Sequence, residues 1–170
     1  ASIVANEWDS TTGEGVITFN GEVTSIGKNA FYNCSSLTSI TFPKGITSIG
    51  ESAFGTCRSL ASIIIPEGVN SIGEGAFYNC SCLASVTIPK SITSIGKDAF
   101  YNGMRGKSVY ITDIVAWCNI VFANEGANPL YYANLYLNGK LVTDLTIPYG
   151  VTLIRDWAFY MYQNLTSITI

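Results

Sequence analysis

Apolar and polar positions alternate along this chain in two patterns that take turns. From Leu60 to Ile65 the pattern Leu-x-x-Ile-x-Ile falls on Leu60, Ile63 and Ile65. Near period-two spacing predicts a strand with one buried face. Pro66 follows at once, where the strand must stop and the chain turn. Val69, Ile72, Gly73, Ala76 and Phe77 then predict a short helical turn whose Ala-Phe pair points inward.

The two halves recur together. Phe31, Phe54, Phe77 and Phe100 stand 23 residues apart, each preceded by Ala30, Ala53, Ala76 or Ala99. Ile26, Ile49, Ile72 and Ile95 keep the same step, as do Leu37, Leu60 and Leu83, and Pro43, Pro66 and Pro89. A unit this small cannot bury its apolar face alone, so neighbouring units must stack into a continuous core. The expected fold class is an α/β repeat solenoid, with a parallel β-sheet on one face and short strands and helical turns on the other.

The register divides a single domain, 1–170, into four parts. Residues 1–20 read as an N-terminal cap with a strand at 15–19, Trp8 and a turn at 13–15. Residues 21–112 are regular 23-residue repeats, 113–148 a long irregular repeat, and 149–170 a last, truncated one. The predicted sheet strands centre on Ile17, Ile40, Ile63, Val86, Val109, Leu145 and Ile168. In the unit 90–112, Gly103 replaces the Cys column and Gly106 the Leu column, and the next step, Val109 to Leu145, is 36. Inside the long unit Asp113 is an N-cap for a short helix through Trp117. Residues 135–137 and 140–142 flank Asn138-Gly139, a hairpin signal.

The pattern Leu-x-x-Ile-x-Ile-Pro-x-x-Val-x-x-Ile-Gly-x-x-Ala-Phe-x-x-Cys is carried by residues 37–57 and 60–80, with Ile46 in the Val position of the first. It resembles the BspA-like, or treponemal-type, leucine-rich repeats. Trp117-Cys118, Asn-Pro-Leu-Tyr-Tyr at 128–132 and Leu-Tyr-Leu-Asn-Gly at 135–139 look like a variant that recurs within that family. The resemblance covers nearly all of 16–170 and implies a leucine-rich-repeat solenoid. It also implies a cell-surface or secreted protein with a protein ligand, host extracellular matrix being one class. Signal and anchor would then lie outside this chain. Its repeat positions are structural, so no functional residue carries across.

Composition narrows the chemistry. Hydrophobic residues make up 48% and charged ones 12%, with a net charge of −3, about half the usual charged share. The nine basic residues are scattered, which sets nucleic acid aside as a partner, and no apolar stretch is long enough to span a bilayer. Histidine is absent, removing the commonest general base and neutral metal ligand. Serines are many, but with no histidine to activate one they read as strand and turn filler. Glu51 and Glu74 share a column with Lys28 and Lys97 on either side, a mixed solvated edge. Cys34, Cys57 and Cys80 form a column predicted to be buried, reduced and metal-free. Cys82 should be exposed, and the odd count of five argues against full pairing. No enzyme, cofactor or metal site is expected.

Two regions remain as candidate binding surfaces. The outer face of the sheet should present Ser39 and Thr41, Ser62 and Ile64, Ser85 and Thr87, Ser108 and Tyr110, and Asp144 and Thr146. Ile64, Thr87 and Tyr110 are its candidate ligand residues. The irregular unit gathers Trp117, Tyr131, Tyr132 and Tyr136. Trp117 and Leu130 are expected to fill the core. For Tyr131, Tyr132 and Tyr136 two readings stay open, core packing or a platform for a ligand. The function these residues imply is a non-catalytic protein-binding or adhesion module. The alternative is a carbohydrate-binding module built on the aromatic repeat. At the C-terminus Phe159, Leu165 and Ile168 are expected to lie open on the terminal coil, to be covered by further repeats or another copy.

Overall fold

The computed structural model describes residues 21–170 and, before them, the backbone of β1 (Ile3–Asp9) and β2 (Glu14–Phe19). Of the predicted turn at 13–15, residues 14–15 belong to β2, while residue 13 and the side chain of Trp8 lie outside the described residues. The repeats stack as coils that contribute to two parallel sheets. The first joins β3 (Ser25–Ile26), β4 (Ser48–Ile49), β6 (Ser71–Ile72), β8 (Ser94–Ile95) and β10 (Val121–Phe122). The second joins β5 (Ser62–Ile64), β7 (Ser85–Thr87), β9 (Ser108–Ile111) and β11 (Asn134–Leu137), with β12 (Lys140–Leu141) antiparallel on β11. β13 (Asp144–Thr146) and β14 (Ser167–Thr169) form a separate parallel pair.

Three predicted strand placements are corrected. β2 does not join the stack beside residue 40; it pairs antiparallel with β1, Ile17 opposite Asn6, a partner reached across a much shorter loop. Ile40 itself lies outside any strand, in a segment whose ladder bond among the described residues runs from Ala61 N–H to the Thr38 carbonyl, 3.0 Å. After Val109 the sheet continues at Leu135, not Leu145, a step of 135 − 109 = 26. The Asn138-Gly139 turn, at φ 50° and 78°, then folds β12 onto the free edge of β11, so Leu145 must pair elsewhere.

The narrow approach of the coils explains the Ile-Gly pairs. A Cβ on Gly73 or Gly96 would sit 2.5 or 2.4 Å from the backbone nitrogen of Glu51 or Glu74, one coil away. The predicted helical turn beyond each Gly is not a helix. Asn29, Ser52, Gly75 and Asp98 are left-handed, and so, four residues later, are Asn33, Thr56, Asn79 and Asn102, with φ of 51–59°. Asn, Asp and Gly accept that region best. Interrupted in this way, alternate N–H groups turn to the next coil. Ser52, Phe54 and Thr56 donate to the carbonyls of Glu74, Ala76 and Tyr78 at 2.7, 2.8 and 2.7 Å.

Inside this backbone frame the columns stack. Phe54 and Phe77 are both 0% exposed, with ring centroids 5.5 Å apart and planes within 2°; Phe31 and Phe100 extend the column. Cys57 and Cys80 are buried, and their thiols donate to the carbonyls of Phe31 and Phe54 at 3.1 and 3.2 Å. Burial raises both thiols, Cys80 to about 12, with the neighbouring Cys57 adding to it. Cys34 departs from prediction and is exposed, because its coil stands at the end of the cysteine column. Cys82 is exposed as predicted, and the edge column shows a Lys28–Glu51 ion pair at 2.8 Å.

The irregular unit is fitted to the ladder by side chains. The Asp113 carboxylate accepts from Val115 and Ala116 N–H and caps α1 (Ile114–Asn119). Asn124 Oδ1 accepts from Asp98 N–H at 3.0 Å and from Ala127 N–H at 2.9 Å, standing in for a backbone carbonyl. Trp117 is buried, and its Nε1–H donates to the Ala158 carbonyl at 2.9 Å. The buried Asn128 amide donates to the carbonyls of Trp157 and Ala158 and accepts from Leu130 N–H. These two side chains fasten the last coil, on which Phe159 and Leu165 are half-buried and Ile168 is exposed.

Phe77→Ala should cost about 3–5 kcal/mol in chemical denaturation; a loss well below 1 kcal/mol would place the ring outside the core. In native protein, Cys34 and Cys82 should alkylate readily while Cys57, Cys80 and Cys118 react only on unfolding, as read by mass spectrometry. Asn128→Ala leaves buried backbone groups unpaired, so it should destabilise by at least about 2 kcal/mol, with a loss near zero contradicting its role as fastener.

Candidate functional site

The second sheet turns two rows of side chains outward. Ser62, Ser85, Ser108 and Asn134 occupy one rung across β5, β7, β9 and β11. Ile64, Thr87, Tyr110 and Tyr136 occupy the next, and the hairpin adds Leu141 opposite Tyr136. Strand alternation puts the inward residues between these rows into the core, as Ile63, Val86, Val109 and Leu135 show. Ile64 is 70% exposed, Tyr110 36% and Leu141 43%. The rings of Tyr110 and Tyr136 stack at 5.0 Å. The result is a polar row beside a row with four large apolar or aromatic side chains, without a charge in either.

Four of the six candidate residues, Ile64, Thr87, Tyr110 and Tyr136, are therefore brought into one line. Asp144 and Thr146, predicted on the same face, belong to the separate β13–β14 pair. There the Asp144 carboxylate is held below its ordinary range by hydrogen bonds, first from Ser167, then from Thr143. Leu141 was missed, although the two-residue turn at Asn138-Gly139 already places it opposite Tyr136.

Tyr131 and Tyr132 go elsewhere, so the aromatic residues of the irregular unit do not form one cluster. Trp117 and Leu130 are core, as predicted. Tyr131 packs edge-on against Tyr132 at 4.7 Å and stacks on Tyr160 at 5.9 Å. The Arg105 guanidinium lies 5.1 Å over the Tyr132 ring. Desolvation raises the Tyr131 hydroxyl above its ordinary range, the neighbouring Tyr132 and Tyr160 adding to it. These residues wall a cleft of about 440 Å³, whose lining also includes Tyr101 and Glu125. Tyr101 and Tyr160 were not singled out from sequence, though both follow the repeated Ala-Phe pair, at 99–101 and 158–160.

Among the described residues no three His, Cys, Asp or Glu side chains gather as metal ligands would. No helix there is long and apolar enough to cross a membrane.

The architecture has counterparts in solved structures. A leucine-rich repeat protein of T. pallidum shares 24% identity at a TM-score of 0.60, covering 96% of this chain and 78% of that one. A leucine-rich repeat protein from Bacteroides ovatus ATCC 8483 shares 25% identity at a TM-score of 0.50, covering all of this chain. A leucine rich cell surface protein from Faecalibacterium prausnitzii A2-165 shares 30% at 0.51, covering 86% of this chain. This chain spans only 40% and 36% of the latter two. No curated protein matches it. The model of the BspA type leucine rich repeat region matches six copies over residues 3–127 and 132–170. With nearly every residue inside those copies and the coils stacked in their register, this chain belongs to the BspA-type leucine-rich-repeat family.

Proposed function

We propose that this chain is a non-catalytic protein-binding module, acting in adhesion at a cell surface or after secretion, with extracellular-matrix protein as the ligand class. The observation that carries this reading is the uncharged row Ile64, Thr87, Tyr110, Tyr136 and Leu141 along the outer face of the second sheet. Aromatic and aliphatic side chains on a rigid frame lose little conformational entropy on binding, and tyrosine is enriched among residues that dominate interface energetics. The Tyr110–Tyr136 stack holds both rings in place before a partner arrives. Solenoid faces of this kind are common binding surfaces. The surface location draws on the Faecalibacterium prausnitzii neighbour, a leucine rich cell surface protein, and on the family.

Surface plasmon resonance against a panel of immobilised matrix proteins tests the proposal. Tyr110→Ala with Tyr136→Ala should weaken a bound partner by about 30-fold, the size of one interface hot spot, while circular dichroism stays unchanged. Few charges face the partner, so affinity should change little between low and high salt. A steep salt dependence, or binding indifferent to the double substitution, would reject this face.

A further inference from the structure

The tyrosine cleft exists because one coil breaks a column of rings. Tyr78 and Tyr101 stack at 5.8 Å in successive coils. The backbone ladder identifies the next member. Phe77 N–H donates to the Ala99 carbonyl and Phe100 N–H to the Gly126 carbonyl, so Gly126 follows Ala99 and Asn128 follows Tyr101. Asn128 turns inward, its amide committed to the carbonyls of Trp157 and Ala158. No side chain of that coil continues the stack over Tyr101, which is 44% exposed. One coil further on, Tyr160 returns to the column position and stacks on Tyr131. Tyr101 from the first stack and both rings of the second border the cleft. Gly126 in its lining lies close against the previous coil, where a Cβ would come within 2.4 Å of Asp98 Oδ1.

We infer that this cleft is a binding site for a neutral oligosaccharide, one of whose sugar rings takes the place of the missing ring beside Tyr101. A volume of about 440 Å³ falls within the range of small-molecule sites, which combine aromatic walls with a few fixed polar groups. The apolar C–H face of a pyranose suits a tyrosine ring, whose hydroxyl end stays polar. The polar groups at the rim are Asn102, Arg105 and Glu125, all exposed. One positive and one negative side chain sum to zero, which favours neither an anionic nor a cationic ligand. Together with the Asn102 amide they offer donors and acceptors for hydroxyl groups. The Arg105 guanidinium is already oriented by Tyr132. This site is separate from the sheet face, since neither Tyr110 nor Tyr136 lines it.

A printed array of neutral and anionic oligosaccharides, followed by saturation-transfer NMR with each neutral compound that scores, tests the inference on the full chain. At least one neutral oligosaccharide should bind with a dissociation constant of about 1 mM or tighter. Tyr101→Ala and Glu125→Gln should each weaken it at least tenfold, whereas Tyr101→Phe, which keeps the ring, and Tyr110→Ala should leave it unchanged. Both weakening substitutions are at exposed positions, and circular dichroism verifies that the fold persists. Absence of binding by any neutral compound, binding by anionic compounds alone, or binding indifferent to both cleft substitutions overturns the assignment. So does a proline-rich peptide that occupies the cleft where the saccharides do not.

Discussion

The backbone hydrogen bonds between successive coils are the constraint on which the rest depends. They run in three places at once: through the two sheets and through the left-handed turn layer between them, all in one 23-residue register. A coil that satisfies all three has almost no freedom in its path. Its Gly must lie where the neighbouring backbone approaches, its Asn, Asp or Gly where φ is positive, and its Phe where the ring meets the ring of the coil before. Buried amide groups without partners are costly, so each column of the repeat is a backbone requirement before it is a packing preference.

The irregular unit shows how a solenoid can leave its register without breaking. It is longer than its neighbours on both sheets, by three residues between Val109 and Leu135 and by four between Ile95 and Phe122. It rejoins the ladder because Asn124 supplies from its side chain the acceptor that a regular coil supplies from its backbone. Asn128 likewise ties the following coil. The two features with binding potential both follow from this repair. The hairpin after β11 extends the apolar row of the sheet, and the inward turn of Asn128 uncovers Tyr101.

The sheet row carries no charge and the cleft one of each sign, in keeping with a chain in which 12% of residues are charged. Recognition on such surfaces depends on shape, on rings and on hydroxyl and amide groups, with little long-range steering. The rings are held by stacking on one another, Tyr110 on Tyr136 and Tyr131 on Tyr160, so the solenoid frame carries the positional order that a binding loop would otherwise have to supply.

Much of the fold was legible in the sequence because it is written in local periodicity. The 23-residue step predicts the buried Phe54–Phe77 stack, the alternation at 62–64 exposes Ile64, and Asp113 and Asn138-Gly139 mark a helix start and a hairpin. The burial of Trp117 and Leu130 was legible too, as residues too large and apolar to leave outside an irregular coil. Tertiary structure alone decided what local pattern leaves degenerate. Segments 135–137 and 145–147 both alternate as strands do, and only closure of the irregular coil selects Leu135 as the neighbour of Val109 and sends Leu145 to a separate pair. The fate of Cys34 depended on which coils flank it, and the separation of Tyr136 from Tyr131 and Tyr132 depended on which way the chain turns between Leu130 and Leu135. Periodicity specifies which face a residue occupies within its own coil, whereas the neighbour it meets is set by long-range pairing, which adjacent residues do not encode.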